Sequence, residues 1–537
     1  MTSATAPTTQ LPGPARRRAW LPVVISAFSG TTGFAIKIAL LSISNALAIW
    51  AAYVLATRHN WIVVAVLIGV TALVDVVFLT PRKWAVPLKF LVPGTLLLIA
   101  FQVIPILYTF NVAFTNYSTG HILTKAQAIK GIELTSLQQP NNGKTYTLGV
   151  AQSGSGYVLI LEDQASGKSY VGTDKGLTPL PPGAVKASGG QIVSAQGYKL
   201  LSGLALFNAV DGPLQKLVVP VGHGAGIRAQ SPTTAVELEP TLRYDPKRDV
   251  FVSLVSGAVY HDDGKGQFSN PTAGPLLPGW KTYIGTKNFT AIINDPTVKT
   301  PFIRVFIWTF VFAAGTVLFS FAIGLFLAVA LDKRGMRFQR VYRTILIIPW
   351  AIPGFLSLLV WGGLLNSEFG VINNVLHLSV PWLTDANWAR FSCILVSTWL
   401  TVPYFFVVSM GALQAIPNEL VEAARVDGGG PFQIFRRVTF PLLLVAVGPL
   451  LIASFAFNFN NFNNIYLLTR GGPTFTGGNG VAGATDILIS YTYKLAIASG
   501  LGNNFGLAAA ISIIIFVITA VLAGIGFSRT AVLEERI

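Results

Sequence analysis

Eight stretches of this 537-residue chain are apolar over the length of a membrane-crossing helix: roughly 34–56, 61–79, 89–114, 302–331, 341–365, 389–411, 441–468 and 504–528. A spanning helix needs about 20 such residues. The hydrocarbon holds no water, so each stretch must satisfy its own backbone N–H and C=O groups, which a helix does. Composition agrees. Only 11% of residues are charged and 52% are hydrophobic, against about 25% charged in an average soluble domain. Lipid must therefore cover much of the surface. The expected fold is an α-helical polytopic membrane protein with eight transmembrane helices. A mainly β external domain is expected between helices 3 and 4, where the sequence turns polar over 116–298.

A formal charge of +16 would suit a nucleic-acid binder, but its distribution suits a membrane. One set of loops holds Arg16, Arg17 and Arg18; Arg82, Lys83 and Lys89; Lys333, Arg334, Arg337, Arg340 and Arg343; Arg425, Arg436 and Arg437; then Arg529 and Arg536. The short loops opposite hold chiefly Arg58, Arg390, Arg470 and Lys494. Basic residues collect on the cytoplasmic side. Both termini are thus expected in the cytoplasm, the 116–298 segment outside, and the chain in the inner membrane. Lipid is an expected partner and nucleic acid is not.

Arg16–Arg18 precede an apolar stretch, as in a signal peptide. That stretch is interrupted by Pro22 and by the Ser29–Gly33 cluster, so a disordered tail and an uncleaved first span are expected. The division that follows is a cytoplasmic tail and lead-in (1–33), helices 1–3 (34–115), the external domain (116–298), helices 4–8 with a cytoplasmic loop at 412–441 (299–528), and a second tail (529–537). In the external domain, Lys144-Thr-Tyr-Thr-Leu148, Gly156-Tyr-Val-Leu-Ile-Leu161 and Asp249-Val-Phe-Val-Ser-Leu-Val255 read as strands, and Asn142-Gly143 as a turn. The single Cys393 gives no disulfide framework and reads as a packing residue.

No GxxxxGK phosphate loop, HExxH or CxxC occurs, and the His residues are scattered. No enzymatic activity and no bound metal or cofactor are expected of this chain.

The segment Ala415–Pro441 is the most informative. Pro417 suits the first turn of a helix and Glu419 its positive N-terminal end. Leu420, Val421, Ala423 and Ala424 follow, Gly428–Gly430 stop the helix, and Pro431 starts another. An ordinary surface loop would explain that much. The spacing adds more: Glu422-Ala423-Ala424, three residues, Gly428, nine residues, then Val438-x-Phe440-Pro441. This resembles the EAA loop of ABC import permeases, EAA-x3-G-x9-I-x-L-P, with Val for Ile and Phe for Leu. The resemblance implies that Glu422, Ala423, Ala424, Gly428 and Pro441 belong to a loop that docks into a groove on an ATPase subunit and passes its closure to the membrane helices. Phe114-Thr-Asn-Tyr-Ser118, the 452–462 run, Gly471-Gly-Pro473, Asp486 and Phe505-Gly-Leu-Ala-Ala-Ala510 extend the resemblance to the larger permease subunit of maltose/maltodextrin importers. That subunit has eight spans and a large external domain after the third.

In the seventh run, Ser454, Phe457, Asn458 and Asn461 fall at i, i+3, i+4 and i+7, one face of a helix. Asn460, Asn463 and Asn464 adjoin it. Carboxamides facing lipid would lose their hydrogen bonds, so they should face protein or a wet cavity. Interhelical hydrogen bonding is the plainer reading of one such Asn. Five, interleaved with Phe, suit a path for a neutral polyhydroxyl cargo. In the sixth run, Pro403 marks a kink beside Leu400, Thr401 and Tyr404. The resemblance places substrate contacts at Leu400, Thr401, Tyr404, Ser454, Phe457, Asn458 and Asn461. In the family pattern Gly-Tyr stands where this chain has Thr401-Val402.

The resemblance implies a permease for maltose or maltodextrin-like oligosaccharides. Its implied partners are a second permease subunit, an ATPase homodimer that uses ATP and Mg, and an external sugar-binding protein. Trehalose or another α-glucoside is the alternative cargo. A secondary transporter would call for intramembrane carboxylates or inverted repeats, and spans four to eight show no mid-span carboxylate. A membrane receptor would leave the Asn face and the loop unexplained.

Overall fold

The computed structural model describes residues 30–153, 156–210, 212, 214, 217–222, 225–332, 336–476, 480–498 and 503–534. Arg16–Arg18, Lys333, Arg334 and Arg536 lie outside these residues, as do most of the 1–33 lead-in and the end of the second tail. Among the described residues, seven helices are long and apolar enough to cross a membrane: Gly33–Thr57, Trp61–Leu79, Ala85–Ala113, Pro296–Leu331, Ala386–Ala415, Pro431–Phe459 and Phe505–Gly526. An eighth crossing is a broken pair, Gln339–Ala351 and Gly354–Leu364, bent by 92°. In chain order these are spans 1 to 8, the broken pair being span 5.

Two apolar runs thus differ from the straight helices expected. The 341–365 run breaks at Pro353. A residue before proline is pushed out of the helical region, and Ile352 is extended at φ −81°, ψ 131°. The 441–468 run ends as a helix at Phe459. Asn460 and Asn461 leave helical geometry, and a short helix, Phe462–Thr469, follows. The Asn461 side chain accepts the Asn464 backbone N–H at 3.2 Å, a local bond that competes with helix continuation.

The chain falls into two compact units, 1–107 and 108–537. In the first, spans 1 and 2 are joined by the Asn45 amide, which donates to both Asp75 carboxylate oxygens at 3.0 and 3.2 Å. Span 3 widens to a π turn at Ile99–Val103, just before Pro105. Span 7 does the same at Phe435–Thr439, before Pro441. In each case the proline has no N–H for the carbonyl four residues earlier and crowds it, and the wider turn relieves that conflict.

The second unit carries the inserted β domain. Its neck is zipped: Asn116 N–H donates to the Thr282 carbonyl at 3.1 Å, and Ile284 N–H to the Phe114 carbonyl at 2.8 Å. The buried Asn288 amide donates to the carbonyls of Ala113 and Thr115 at 2.8 and 2.9 Å. One antiparallel sheet orders Gly176–Pro179, Ser169–Thr173, Gly156–Asp163, Thr145–Ser153, Thr234–Pro240, Ala225–Ser231 and Val219–Gly222, with Leu137–Gln138 paired to Thr234–Pro240. A second holds Leu242–Asp245, Val250–Ser253, Val259–Asp262, Phe268–Asn270 and Gly274–Pro275. The strand read from Asp249 to Val255 stops at Ser253. A turn closed by Gly257 N–H to the Ser253 carbonyl exposes Leu254 and Val255.

In the membrane part, spans 4 and 6 pack together along their length. Small side chains make this close approach tolerable. Thr309, Thr316 and Ser320 of span 4 and Ser409 of span 6 are buried. A Cβ on Gly324 would lie 2.8 Å from the Phe405 Cβ and the Phe406 nitrogen.

On the second sheet, Lys125 opens the helix Lys125–Thr135. It donates to Asp249 at 2.5 Å and Asp262 at 2.7 Å, over the rings of Phe268 and Trp280. The Lys125 hydrogen bond holds the Asp249 carboxyl below its ordinary value of 3.8, with burial opposing and Tyr244 assisting. A carboxyl whose pKa is lowered on folding contributes stability that is present above the unfolded value and is lost as pH falls through the folded one. Lys125→Met should therefore weaken hydrogen-exchange protection of Val250–Ser253 and Val259–Asp262 near pH 7, with the gap to wild type narrowing below about pH 4. A gap of equal size at about pH 3 would exclude the carboxylate as its cause.

Candidate functional site

A cavity of about 840 Å³ lies among spans 5, 6 and 7. The bend of span 5 supplies Pro349–Phe355 and Leu358. Span 6 supplies Leu400, Thr401 and Tyr404. The end of span 7 and the helix after it supply Ala453, Ser454, Phe457, Asn461, Asn463 and Asn464. No charged side chain is among these lining residues.

Six of the seven residues singled out in the sequence meet at this cavity: Leu400, Thr401, Tyr404, Ser454, Phe457 and Asn461. Asn458 does not line it. It is 1% exposed, and its amide donates to the Ser454 carbonyl at 2.9 Å. Its Oδ1 is buried with no partner among the described residues. The helical spacing groups Asn458 with Asn461 because it treats 441–468 as one straight helix. Asn461 reaches the cavity through the break instead. The wall from span 5 went unread in the sequence. Its signal is Pro349 and Pro353, four residues apart in an apolar run, a recurrent cause of sharp bends.

Polar contacts fix this wall. Thr401 Oγ donates to the Ser397 carbonyl at 2.8 Å, and the Asn464 amide donates to Ser397 Oγ at 3.0 Å. Trp350 meets Tyr404 edge-on, with ring centroids 6.3 Å apart. Ile465 and Leu468 anchor the short helix in a buried cluster with Trp308, Cys393 and Ile487. Beyond that helix the chain is held by a buried ion pair. The Asp486 carboxylate, fully buried, accepts from Gly483 N–H at 2.7 Å, Ser490 Oγ at 2.8 Å and Lys494 Nζ at 2.6 Å. Burial pushes the Asp486 carboxyl above its ordinary range, while Lys494 and the other donors pull against that shift.

At the far end of span 7 lies the loop singled out for its spacing. Asn418–Val426 is a helix preceded by Pro417 and closed at Asp427. Gly428 takes φ +85°, the left-handed conformation that ends helices and that side chains with a Cβ resist. Gly429 N–H donates to the Ala424 carbonyl at 3.0 Å, and Pro431 starts span 7 directly. Glu422, Ala423 and Pro441 are exposed, and Ala424 is half-buried. Val426 is 87% and Phe432 75% exposed. Apolar side chains so open beside a built turn form a surface suited to a partner.

Residues 296–529 match the family described as binding-protein-dependent transport system inner membrane component. Residues 96–175 match the N-terminal part of the transmembrane subunit in PBP-dependent ABC transporters. The maltose/maltodextrin transport system permease protein MalF of Salmonella typhimurium is 37% identical over 469 residues, covering 82% of this chain and 86% of that protein. MalF of Escherichia coli is 36% identical over 458 residues, with the same coverage. The chain belongs to the MalF family of ABC importer permeases. A chain from the crystal structure of a bacterial ABC transporter involved in the import of the acidic polysaccharide alginate has a TM-score of 0.40 and 22% identity, covering 46% of this chain and 84% of its own.

As a MalF-family permease the chain is a multi-pass inner membrane protein. Its cavity residues and its EAA-type loop all lie inside the 296–529 match. Removing one partner of a buried ion pair leaves the other charge uncompensated. Asp486→Ala should therefore lower the unfolding free energy by about 3–5 kcal/mol and loosen the Phe462–Thr469 helix that carries Asn463 and Asn464. Thermal unfolding of the purified chain in detergent checks this, and an unchanged midpoint would show the pair to be dispensable.

Proposed function

We propose that this MalF-family chain forms the translocation path for maltose and maltodextrin-like oligosaccharides, as one of two permease subunits in an ATP-driven importer. The observation that carries this reading is the cavity wall: amides, hydroxyls and aromatic rings without a charged side chain. Asn amides donate to and accept from sugar hydroxyls, and aromatic faces cover the apolar C–H faces of the ring. An uncharged wall offers nothing to hold an anionic or cationic cargo. The relatives named for maltose/maltodextrin transport support the same substrate class. The substrate contacts assigned are Leu400, Thr401, Tyr404, Ser454, Phe457 and Asn461, with Asn458 supporting Ser454 from behind.

The partners assigned are a second permease, an ATPase homodimer that binds ATP and Mg, and an external sugar-binding protein. The chain itself hydrolyses nothing. Glu422, Ala423, Ala424 and Gly428 dock on the ATPase, and Pro441 stands where the loop has become span 7. This requires the loop, with Arg425, Arg436 and Arg437, to be cytoplasmic, as both termini then are.

Reconstitution in vesicles with the four partner chains tests this reading. Sugar uptake should need ATP and the ATPase, and uptake that persists without them would sink it. Asn461→Ala should slow uptake by roughly 3- to 10-fold, the cost of one lost hydrogen-bonding partner. Glu422→Lys should leave the cavity intact but abolish the stimulation of ATP hydrolysis by the loaded binding protein. Stimulation retained in that variant would remove Glu422 from the coupling surface.

A further inference from the structure

Span 4 outlasts the membrane it crosses. Its 36 residues make about 54 Å of helix at 1.5 Å per residue, against about 40–45 Å for a bilayer with its headgroups. Asp332 closes the span at one surface. At the other end the surplus is about the distance from Pro296 to Arg304, so Arg304 enters at the headgroup layer on the side of the inserted domain. Arg304 is exposed, and its guanidinium stands 5.2 Å from the ring centroid of Phe475. With Thr297, Thr300, Pro301 and Thr476, these two line a pocket of about 350 Å³ that shares no residue with the transport cavity. Among the described residues the ion pairs are those of Lys125 and Lys494, so no carboxylate neutralises Arg304. The Asp295 carboxylate, at the head of the same helix, is taken up by the Thr297 N–H and hydroxyl at 2.9 and 2.7 Å. Arg390 of span 6 is a second cation near enough to repel the first, and its Nε donates to the Ala484 carbonyl at 2.9 Å. Two such charges without a carboxylate raise each other's energy, and an anion seated beside them offsets that cost. Below Arg304 the same face of span 4 presents Ile307, Val311 and Leu318, at i+3, i+7 and i+14, all exposed. They run about 16 Å along the helix toward the membrane centre, the depth of one leaflet's hydrocarbon.

We propose that Arg304 and the pocket around it bind a phospholipid, with the phosphate on the guanidinium and one acyl chain along Ile307, Val311 and Leu318. A guanidinium stacked on an aromatic face keeps its in-plane N–H groups free, and those groups meet phosphate oxygens in pairs. The Thr300 and Thr476 hydroxyls stand in the same pocket to donate to the oxygens that remain. The two neighbouring cations favour a headgroup of net negative charge, phosphatidylglycerol, over phosphatidylethanolamine, whose ammonium they repel. Inorganic phosphate would meet the same charges, but only a lipid also covers the apolar stripe below them. Phe475 N–H donates to the Ala482 carbonyl at 3.0 Å, and Thr474 pairs with Gly483. Phe475 thus belongs to a paired segment that follows the Phe462–Thr469 helix, which brings Asn463 and Asn464 to the cavity. A lipid seated on Arg304 and Phe475 ties that segment to span 4.

The test takes the full importer in detergent, stripped of lipid, and titrates it with phosphatidylglycerol under native mass spectrometry. The wild type should retain one phosphatidylglycerol that Arg304→Gln binds about tenfold more weakly, the value of a lost hydrogen bond to a charged group. Arg304→Lys keeps the charge without the fork and should bind it about threefold more weakly. Equal retention by wild type and R304Q would overturn the site. Inorganic phosphate at millimolar concentration should leave the lipid in place, and displacement of the lipid would make this a site for free anions instead. A second measurement keeps Arg304 intact, so a misfolded variant cannot obscure the occupant. A benzophenone side chain at Ile307 should attach to phospholipid on illumination of the importer in membrane vesicles. Attachment to another chain of the importer would show the stripe to be a protein interface and overturn the lipid site.

Discussion

A backbone inside a membrane must satisfy its own N–H and C=O groups, and the places where this chain stops doing so define its function. Irregular backbone at membrane depth is tolerated where it faces protein or a wet cavity. Span 5 breaks at Ile352–Pro353 and span 7 at Asn460–Asn461, and both breaks contribute lining to one cavity. Pro403, buried in span 6, lies beside Tyr404 on a third wall. The π turns before Pro105 and Pro441 resolve the same conflict within a continuous helix, whereas the breaks at Ile352–Pro353 and Asn460–Asn461 end theirs and bring lining to the cavity.

Span 7 joins the two functional regions. Its first residue, Pro431, closes the Gly428–Gly430 turn, and its last turn holds Phe457 in the cavity wall. The span is 29 residues long, about 43 Å of helix at 1.5 Å per residue. A displacement at the Asn418–Val426 helix has one nearly continuous helical element through which to reach the cavity. The wall it reaches is firm because the Phe462–Thr469 helix is tied down by the cluster around Trp308 and by the hydrogen bond between the Thr469 and Thr485 hydroxyls at 2.7 Å.

Much of this was legible in the sequence because its signals are long or rigidly spaced. Apolar runs announce spans by length. The loop announces itself by the fixed interval from Glu422 to Pro441. Where the reading failed, it assumed that an apolar run is a straight helix. Ser454 and Phe457 fall within span 7 and reach the cavity as their spacing predicts. Asn458 turns aside, and Asn461 arrives by a break that helical periodicity cannot express. Trp350 was unreadable for a related reason: its position depends on the 92° turn beside it, and no property of the residue itself encodes that turn. In the β domain the strand after Asp249 was overextended because Leu254 and Val255 look like strand residues, while Ser253 and Gly257 close a turn around them.

The zipped neck at Phe114–Asn116 and Thr282–Ile284 brings the two ends of the inserted domain side by side. Paired residues on adjacent strands lie only about 5 Å apart. The membrane helices on either side thus see the equivalent of a short hairpin, whatever hangs beyond it. Changes in the domain beyond the neck leave the pairing of Phe114–Asn116 with Thr282–Ile284 in place, so the domain's surface is free to diverge with whatever it meets.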